Sequence, residues 1–301
     1  MAPRSPLERF PLGGSGREIF FKREDLHELG SFKWRGALPA VEGFRRQGAA
    51  GVVTASTGNH GCATAWAARR WKLPATVYAP LGASRAKLAI MESLGARIRR
   101  TGRDLDEAKQ EARSFAEAGG LAFFEDGAEP AQYEGYGAIA EEILEQCDAP
   151  PAAIVVPVGN GALVGGIGAA IRRRALPTLV IGVAAKEAPV MALSFEEGRP
   201  VPCDRMGTFA DGLAVRVAIP YAVEVLRLVV DRMLLVSERE IAVGVGKMAR
   251  AGMRVEGAAA AAFAALPKME GNGPIVVIVT GRNIDDDLYQ RALREPESFP
   301  Q

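Results

Sequence analysis

The sequence predicts an α/β protein with two parallel sheets. Three observations carry this. Short apolar runs alternate with longer amphipathic stretches along the 301 residues, at the spacing that crossover connections need. The run "AAIVVPVG" (152–159) is β-branched and apolar on both faces, which suits a buried parallel strand. Two strand-like runs pass through glycine-containing turns directly into helix-like sequence. The length suits two sheets better than one very wide sheet.

The elements follow in order. "EIFFK" (18–22) reads as a strand. "GVVTAS" (51–56) is a strand and "GCATAWAARRW" (61–71) a helix. "ATVYAP" (75–80) is a strand, followed by the helix "SRAKLAIMESLG" (84–95). "RIRRTG" leads into the helix "LDEAKQEARSFAEAG" (105–119), and "LAFFED" (121–126) is a short strand. The helix "YGAIAEEILEQC" (136–147) precedes the strand at 152–159. Then come the helix "ALVGGIGAAIRRRAL", the strand "TLVIGVAA" and helices after Pro189 and Ile219. "DRMLLVS", helical stretches at 238–251 and 257–266, and the strand "PIVVIVTG" (274–281) complete the pattern. There is no repeat, low-complexity tract or long linker.

Composition excludes several classes. Hydrophobic residues make up 48% and charged residues 24%, ordinary for a chain with a full core. A formal net charge of +1 gives no bulk attraction to nucleic acid or an anionic membrane. No apolar run reaches the ~20 residues that span a bilayer, and "MAPRSPLERF" lacks the apolar core of a signal peptide. Cys62, Cys147 and Cys203 are few, odd in number and widely spaced. That argues against a disulfide framework or zinc site and for the cytoplasm. His27 and His60 are the only histidines, so a multi-histidine metal centre is excluded.

Three stretches hold candidate chemistry. In "LGSFKWRGA" (29–37), Lys33 stands between a glycine turn and aromatic neighbours, after the acidic, polar run "KREDLHE". A lysine there can be an ion-pair partner, an anion ligand or a nucleophilic amine. In "VVPVGNGALVGGIG" (155–168), Gly159, Asn160, Gly161, Ala162 and Leu163 offer backbone N–H groups at a helix start. That is either a phosphate nest or a tight turn with close helix–sheet packing. No Gly-Lys-Ser/Thr follows, so it is not a P-loop. Ala184–Ala185 stand where a dinucleotide site has its acidic residue. In "TASTGNHGCA" (54–63), Ser56, Thr57, Gly58, Asn59 and His60 suit a carboxylate, or simply cap a helix.

Together the three stretches resemble the fold-type II pyridoxal-phosphate enzymes, within them the threonine/serine dehydratase and serine racemase group. "GTFADGLAV" (207–215), "GVAAKEAPVMALSFEEG" (182–198), "RVEGAAAAAFAAL" (254–266) and "VVIVTGRNID" (276–285) resemble the group's later motifs. The resemblance covers nearly the whole chain. It implies two open twisted α/β domains, tryptophan synthase beta-like, with the cofactor in the cleft between them. Residues 1–45 with 130–301 would form the large cofactor-binding domain, and 46–129 the small one.

The resemblance also implies site residues. Lys33 matches the lysine that forms the internal Schiff base with pyridoxal 5'-phosphate. A Schiff-base lysine must spend time unprotonated, so partial burial beside Phe32 and Trp34 suits it. Gly159, Asn160, Gly161, Ala162 and Leu163 match the phosphate loop. Phe32 matches the residue against the pyridine ring, Asn59 the one near the phenolic oxygen, and Thr280 the hydroxyl at the pyridine nitrogen. Glu256 matches an acidic residue near the site, or is a helix-start carboxylate. Ser56, Thr57, Gly58, Asn59 and His60 match the loop that holds the substrate carboxylate. Thr57 stands where serine racemase has its second acid/base. It keeps the hydroxyl and adds a methyl.

The departures matter. Asn160 and Ala162 interrupt a run that is usually all glycine, and Trp34 replaces an isoleucine. A metal-ligating glutamate would fall near Ala184, so no metal is expected; Asp211 and Glu187 remain nearby in sequence. No C-terminal regulatory domain is expected. The implied activity is a dehydratase/ammonia-lyase for a β-hydroxy amino acid, threonine, serine or a bulkier analogue, in a homodimer. The enzymatic alternatives are an amino-acid racemase and another β-eliminating lyase, such as a hydroxyectoine-derivative dehydratase. A cofactor-binding protein without catalysis and a nicotinamide oxidoreductase are the readings from other classes.

Overall fold

The structure is a computed structural model and describes residues 4–10 and 17–301. The chain divides into two compact units, one drawn from 1–32 and 136–301, the other from 33–135. In chain order the strands and helices are β1 (Leu7–Arg9), β2 (Ile19–Arg23), α1 (Trp34–Arg46), β3 (Val52–Ala55), α2 (Asn59–Trp71), β4 (Ala75–Ala79), α3 (Arg85–Ser93), β5 (Arg97–Arg100), α4 (Leu105–Gly119) and β6 (Ala122–Phe123). Then follow α5 (Pro130–Gln146), β7 (Ala153–Pro157), α6 (Ala162–Arg173), β8 (Leu179–Ala185), α7 (Val190–Glu197), α8 (Pro220–Val229), β9 (Arg232–Val236), α9 (Glu238–Arg250), α10 (Gly257–Ala264), β10 (Ile275–Val279) and α11 (Asp286–Arg294).

Among the described residues, the larger unit holds a six-stranded sheet in the order β1-β2-β10-β7-β8-β9. Only β1 runs antiparallel to its neighbour. Every residue of β7 and β10 is buried, because parallel strands are covered on both faces and need apolar side chains on each. The helix α10, "GAAAAAFA", is apolar all round and is correspondingly buried in the core, against α9, β7 and β10. Its alanines pass no bulk outward, so the backbone lies close to the strands. A capping box between Ser237 and Glu240 starts α9.

The smaller unit holds a four-stranded parallel sheet in the order β5-β4-β3-β6. Its core packs Val53 and Tyr78 against Ala108, Ala112 and Ala116 of α4. The alanines recur every four residues, one helical face, and Asp104 caps the helix by accepting from the Glu107 amide.

Strand–helix alternation and two sheets match the expectation from sequence. Differences are local. Helix α1 carries Pro39 in its interior and glycines at 36 and 43, which hide it from a pattern reading. The strand β5, "RIRR", is an edge strand whose arginines are exposed, so its apolar signal is one isoleucine. The run 121–126 pairs only at Ala122–Phe123, and α5 starts at Pro130 rather than Tyr136. No helix among the described residues is long and apolar enough to cross a membrane.

Candidate active site

In parallel α/β units, ligands meet the loops that leave the carboxyl ends of strands. In the smaller unit those are the turn after β3, carrying Ser56 to His60, and the loop after its neighbour β6, carrying Asp126. Lys33 stands at the N-cap of α1. Its Nζ donates to Asp126 Oδ2 at 2.5 Å, and the two side chains keep 15% and 25% of their surface exposed. The pair is sheltered but reachable.

Asp126 is held from several sides. Gln132 Nε2 donates to its Oδ1 at 3.0 Å, and the same glutamine accepts the Gly127 N–H at 2.8 Å. The Tyr133 hydroxyl donates to the Gly127 carbonyl at 2.8 Å. Burial pushes the Asp126 carboxyl toward the neutral acid. The Lys33 ammonium outweighs it, with hydrogen bonds from Lys33 and Gln132, so the carboxyl lies well below the usual range.

His60 is 6% exposed, and its ring packs edge-on to Phe124. Its Nε2 lies 3.0 Å from Thr54 Oγ1, and the Thr54 hydroxyl donates to the Phe124 carbonyl at 2.8 Å. Thr54 thus links the His60 ring to the Phe124 carbonyl. Burial lowers the His60 pKa, Asp126 opposes that, and Lys33 lowers it further, so the imidazole is neutral near pH 7. Nδ1 faces Asp126 Oδ1 at 3.5 Å. Ser56 Oγ accepts the N–H groups of Gly58 at 3.2 Å and Gly61 at 3.0 Å, and so folds over the start of α2. Thr57, Gly58 and Asn59 are half-buried in the same turn.

In the larger unit the turn after β7 carries residues 159–163 into α6. Gly161 has φ +93°, which an L side chain rarely adopts. A Cβ on Gly159 would lie 2.3 Å from the Gly212 carbonyl oxygen. The loop is thus a tight, closely packed backbone turn at the start of α6. Asn160 Oδ1 accepts the Ala162 N–H at 3.1 Å, a carboxamide oxygen standing where an anion's oxygen would. Ala162 and Leu163 are buried in the first turn of α6.

Next to β7 in the sheet, β10 is followed directly by Thr280, whose hydroxyl donates to Glu256 Oε1 at 3.0 Å. The Glu256 N–H bonds the Gly281 carbonyl at 3.0 Å, and the Phe32 N–H bonds the Thr280 carbonyl at 3.0 Å. Phe32 is 8% exposed, with its ring 5.1 Å from that of Tyr136. So Phe32, Thr280 and Glu256 form one group, and Lys33 follows Phe32 in the chain. Lys22, by contrast, is fully buried with Glu142, Gln146 and the Ser5 carbonyl around its Nζ, a structural ion pair. Ala184 lies buried inside β8. Among the described residues no cluster of three or more His, Cys, Asp or Glu could hold a metal ion.

A phosphorylated aldehyde cofactor requires an amine, here the sheltered Lys33, and a group of backbone N–H donors such as a glycine turn at a helix start. A family model described as pyridoxal-phosphate dependent enzyme matches residues 3–281. The chain belongs to that family. It is 35% identical over 286 residues to an L-threonine ammonia-lyase of Thermotoga maritima, covering 93% of this chain and 71% of that protein. It is 33% identical over 285 residues to an L-threo-3-hydroxyaspartate ammonia-lyase of a Pseudomonas species, covering 93% of this chain and 89% of that protein. The solved processed form of threonine deaminase isoform 2 from Solanum lycopersicum superposes with a TM-score of 0.88 at 30% identity, over 98% of this chain and 88% of that one. The fold is that of the fold-type II enzymes, and the chain is a pyridoxal-phosphate-dependent lyase of the threonine/serine dehydratase group.

The residues present fit that cofactor: Gly159 and Gly161 form a turn into the N-terminus of α6, and Lys33 is a partly exposed amine. Asp126, Gln132 and Thr54 are absent from the sequence reading. The available signal was an acidic pair directly after a strand, at the carboxyl edge where ligands bind.

Proposed function

We propose that this lyase removes water from a β-hydroxy amino acid and releases a 2-oxo acid and ammonia. The observation that carries it is the Lys33 amine, sheltered and hydrogen-bonded to Asp126 at 2.5 Å. Lys33 would hold the cofactor covalently, and backbone N–H groups of 159–163 would hold its phosphate. Bound pyridoxal phosphate supplies an electron sink for the charge left on the substrate's α-carbon. The Lys33 amine, once released, takes the α-proton, and Asp126 stabilises the ammonium that results. The turn Ser56–His60 binds the substrate carboxylate through its backbone N–H groups. Phe32 would pack on the cofactor ring and Asn59 would lie near its phenolic oxygen.

Thr280 would meet the ring nitrogen; its hydroxyl donates to Glu256, which leaves its oxygen free of that proton. The water lost from the β-carbon is regained when the product's C=N bond hydrolyses, which leaves 2-oxo acid and ammonia.

Elimination needs a base on one face of the α-carbon, and Lys33 supplies it. Inversion needs a second group on the other face. Thr57 is an alcohol with a restricted rotamer set and a poor base unless activated. The protein works as a homodimer; the exposed apolar side chains Val217, Tyr221 and Leu228 support self-association. Three free cysteines suit a reducing cytoplasm.

The test supplies L-threonine, L-serine and L-threo-3-hydroxyaspartate separately and follows 2-oxo acid, ammonia and inverted amino acid. At least one substrate should give 2-oxo acid faster than inversion. No 2-oxo acid from any β-hydroxy amino acid, or faster inversion, would reject the reading.

A further inference from the structure

Glu238 is the first residue of α9 and takes no part in the capping box of Ser237 and Glu240 beside it. It is 2% exposed, and a buried acid needs partners. Its Oε2 accepts from the Thr208 hydroxyl at 3.0 Å and from the Phe209 N–H at 2.9 Å. Oε1 is buried with no hydrogen-bond partner among the described residues. Burial pushes the acid toward its neutral form; the two hydrogen bonds oppose this, and nearby Glu187 adds to it. Both bonds need an accepting oxygen, and neither needs a negative charge. The side chain thus serves one short segment, Thr208 and Phe209.

That segment leads to the turn at 159–163. Thr208 donates to Glu238, and its Oγ1 accepts the Ala210 N–H at 3.1 Å. Asp211–Leu213 then form a single 3-10 turn, closed by the Leu213 N–H on the Ala210 carbonyl at 2.7 Å. This small turn is packed tightly. A Cβ on Gly257, at the start of α10, would lie 2.9 Å from Ala210 Cβ, and one on Gly212 would lie 3.1 Å from Ala258 Cβ. The Gly212 carbonyl oxygen stands 2.3 Å from where a Gly159 Cβ would be. The 3-10 turn therefore touches both α10 and Gly159, and Glu238 ties down its entry.

A turn binds a phosphate well when its N–H groups are already aimed, because ordering them on binding costs affinity. The Gly212 carbonyl is a wall against which Gly159 lies. We propose that Glu238 is a positioning residue for the phosphate-binding turn: by holding Thr208 and Phe209 it fixes the 3-10 turn whose Gly212 carbonyl packs on Gly159. This rests on the assignment of residues 159–163 to the cofactor's phosphate.

The test titrates the cofactor-free protein with pyridoxal phosphate and with unphosphorylated pyridoxal. It reads the ratio of the two affinities, which a general loss of stability leaves alone. Glu238→Leu removes the acceptor and keeps the bulk, and the ratio should fall roughly tenfold as the turn loses its preset aim. Glu238→Gln keeps an accepting oxygen and should stay within about twofold of the unsubstituted protein. Thr208→Val breaks the same link from the other side, and the double variant should be within about twofold of Glu238→Leu alone, since both act through one contact. If Glu238→Leu does not fold, as judged by circular dichroism, Thr208→Val is read in its place. Gly161→Ala, in the turn itself, is measured alongside. An unchanged ratio in the folded variant, while Gly161→Ala lowers it, overturns the role of Glu238 and leaves the phosphate assignment standing. A ratio lowered as far by Glu238→Gln as by Glu238→Leu overturns that role too. If Gly161→Ala also leaves the ratio unchanged, the phosphate assignment falls, and the role of Glu238 with it.

Discussion

Gly161→Ala should separate recognition of the cofactor's phosphate from general stability. Gly161 has φ +93°, so an alanine there carries backbone strain on the order of 1–3 kcal/mol. Its Cβ would meet Leu226 Cδ1 at 2.8 Å and Met191 Cε at 3.0 Å, two side-chain ends that can move aside. Packing therefore yields, and the backbone turns to relieve φ. That rotation swings the N–H groups around 161 away from the position an anion needs. A hydrogen bond to a charged group contributes about 1.5–3 kcal/mol, and about 1.4 kcal/mol is tenfold in affinity. Loss of one such bond should weaken pyridoxal phosphate by roughly 10- to 100-fold.

The assay titrates cofactor-free protein with pyridoxal phosphate and, separately, with unphosphorylated pyridoxal. Pyridoxal binding should change by no more than about threefold, well below the cost of one charged hydrogen bond. The control is Gly48→Ala, at φ +86° with no heavy atom within 4 Å of the added Cβ. It carries similar backbone strain in a loop outside the predicted site. It should lose a comparable amount in urea unfolding and leave both affinities unchanged. Equal weakening of both ligands by Gly161→Ala, or no weakening in a folded variant, would refute the reasoning.

Two further outcomes follow from titration. Burial lowers the His60 pKa, so the unfolded chain binds more protons than the folded one below its ordinary value of about 6.5. Stability of the cofactor-free protein should be full above that pH and fall as pH drops below it, by up to about 1.4 kcal/mol per unit for one proton. Urea unfolding from pH 8 to 5 measures the slope, and His60→Gln should flatten it; an identical slope would exclude His60 as the cause. Burial also pushes the Cys62 thiol up to about 11. Timed alkylation at pH 8 should label it about two orders of magnitude more slowly than a free thiol of pKa ~8.5, and labelling at the free-thiol rate would contradict this.

The sequence by itself determined the class of fold and the parts of the site that are local. The strands β7 and β10 announce themselves because both faces are buried, which writes apolarity into consecutive residues. The glycine turn at 159–161 is legible because a positive φ and a close carbonyl admit one residue type. Lys33 was legible through its fixed neighbours in "GSFKWRGA".

Only the tertiary structure decided the surroundings of that lysine. Asp126 is 93 residues away in sequence, Gln132 reaches it from α5, and Thr54 of β3 holds His60 beside it. Carboxylates, amides and hydroxyls are common at loops and caps, and no period marks the one that will face an amine. The Ser56 hydroxyl and the Asn160 carboxamide show the same limit. Each is a plausible ligand-binding group in sequence, and each is found satisfying backbone N–H groups of its own turn. Local chemistry is set by neighbours along the chain, whereas the charge state of an amine is set by whatever folding brings within a few ångströms of it.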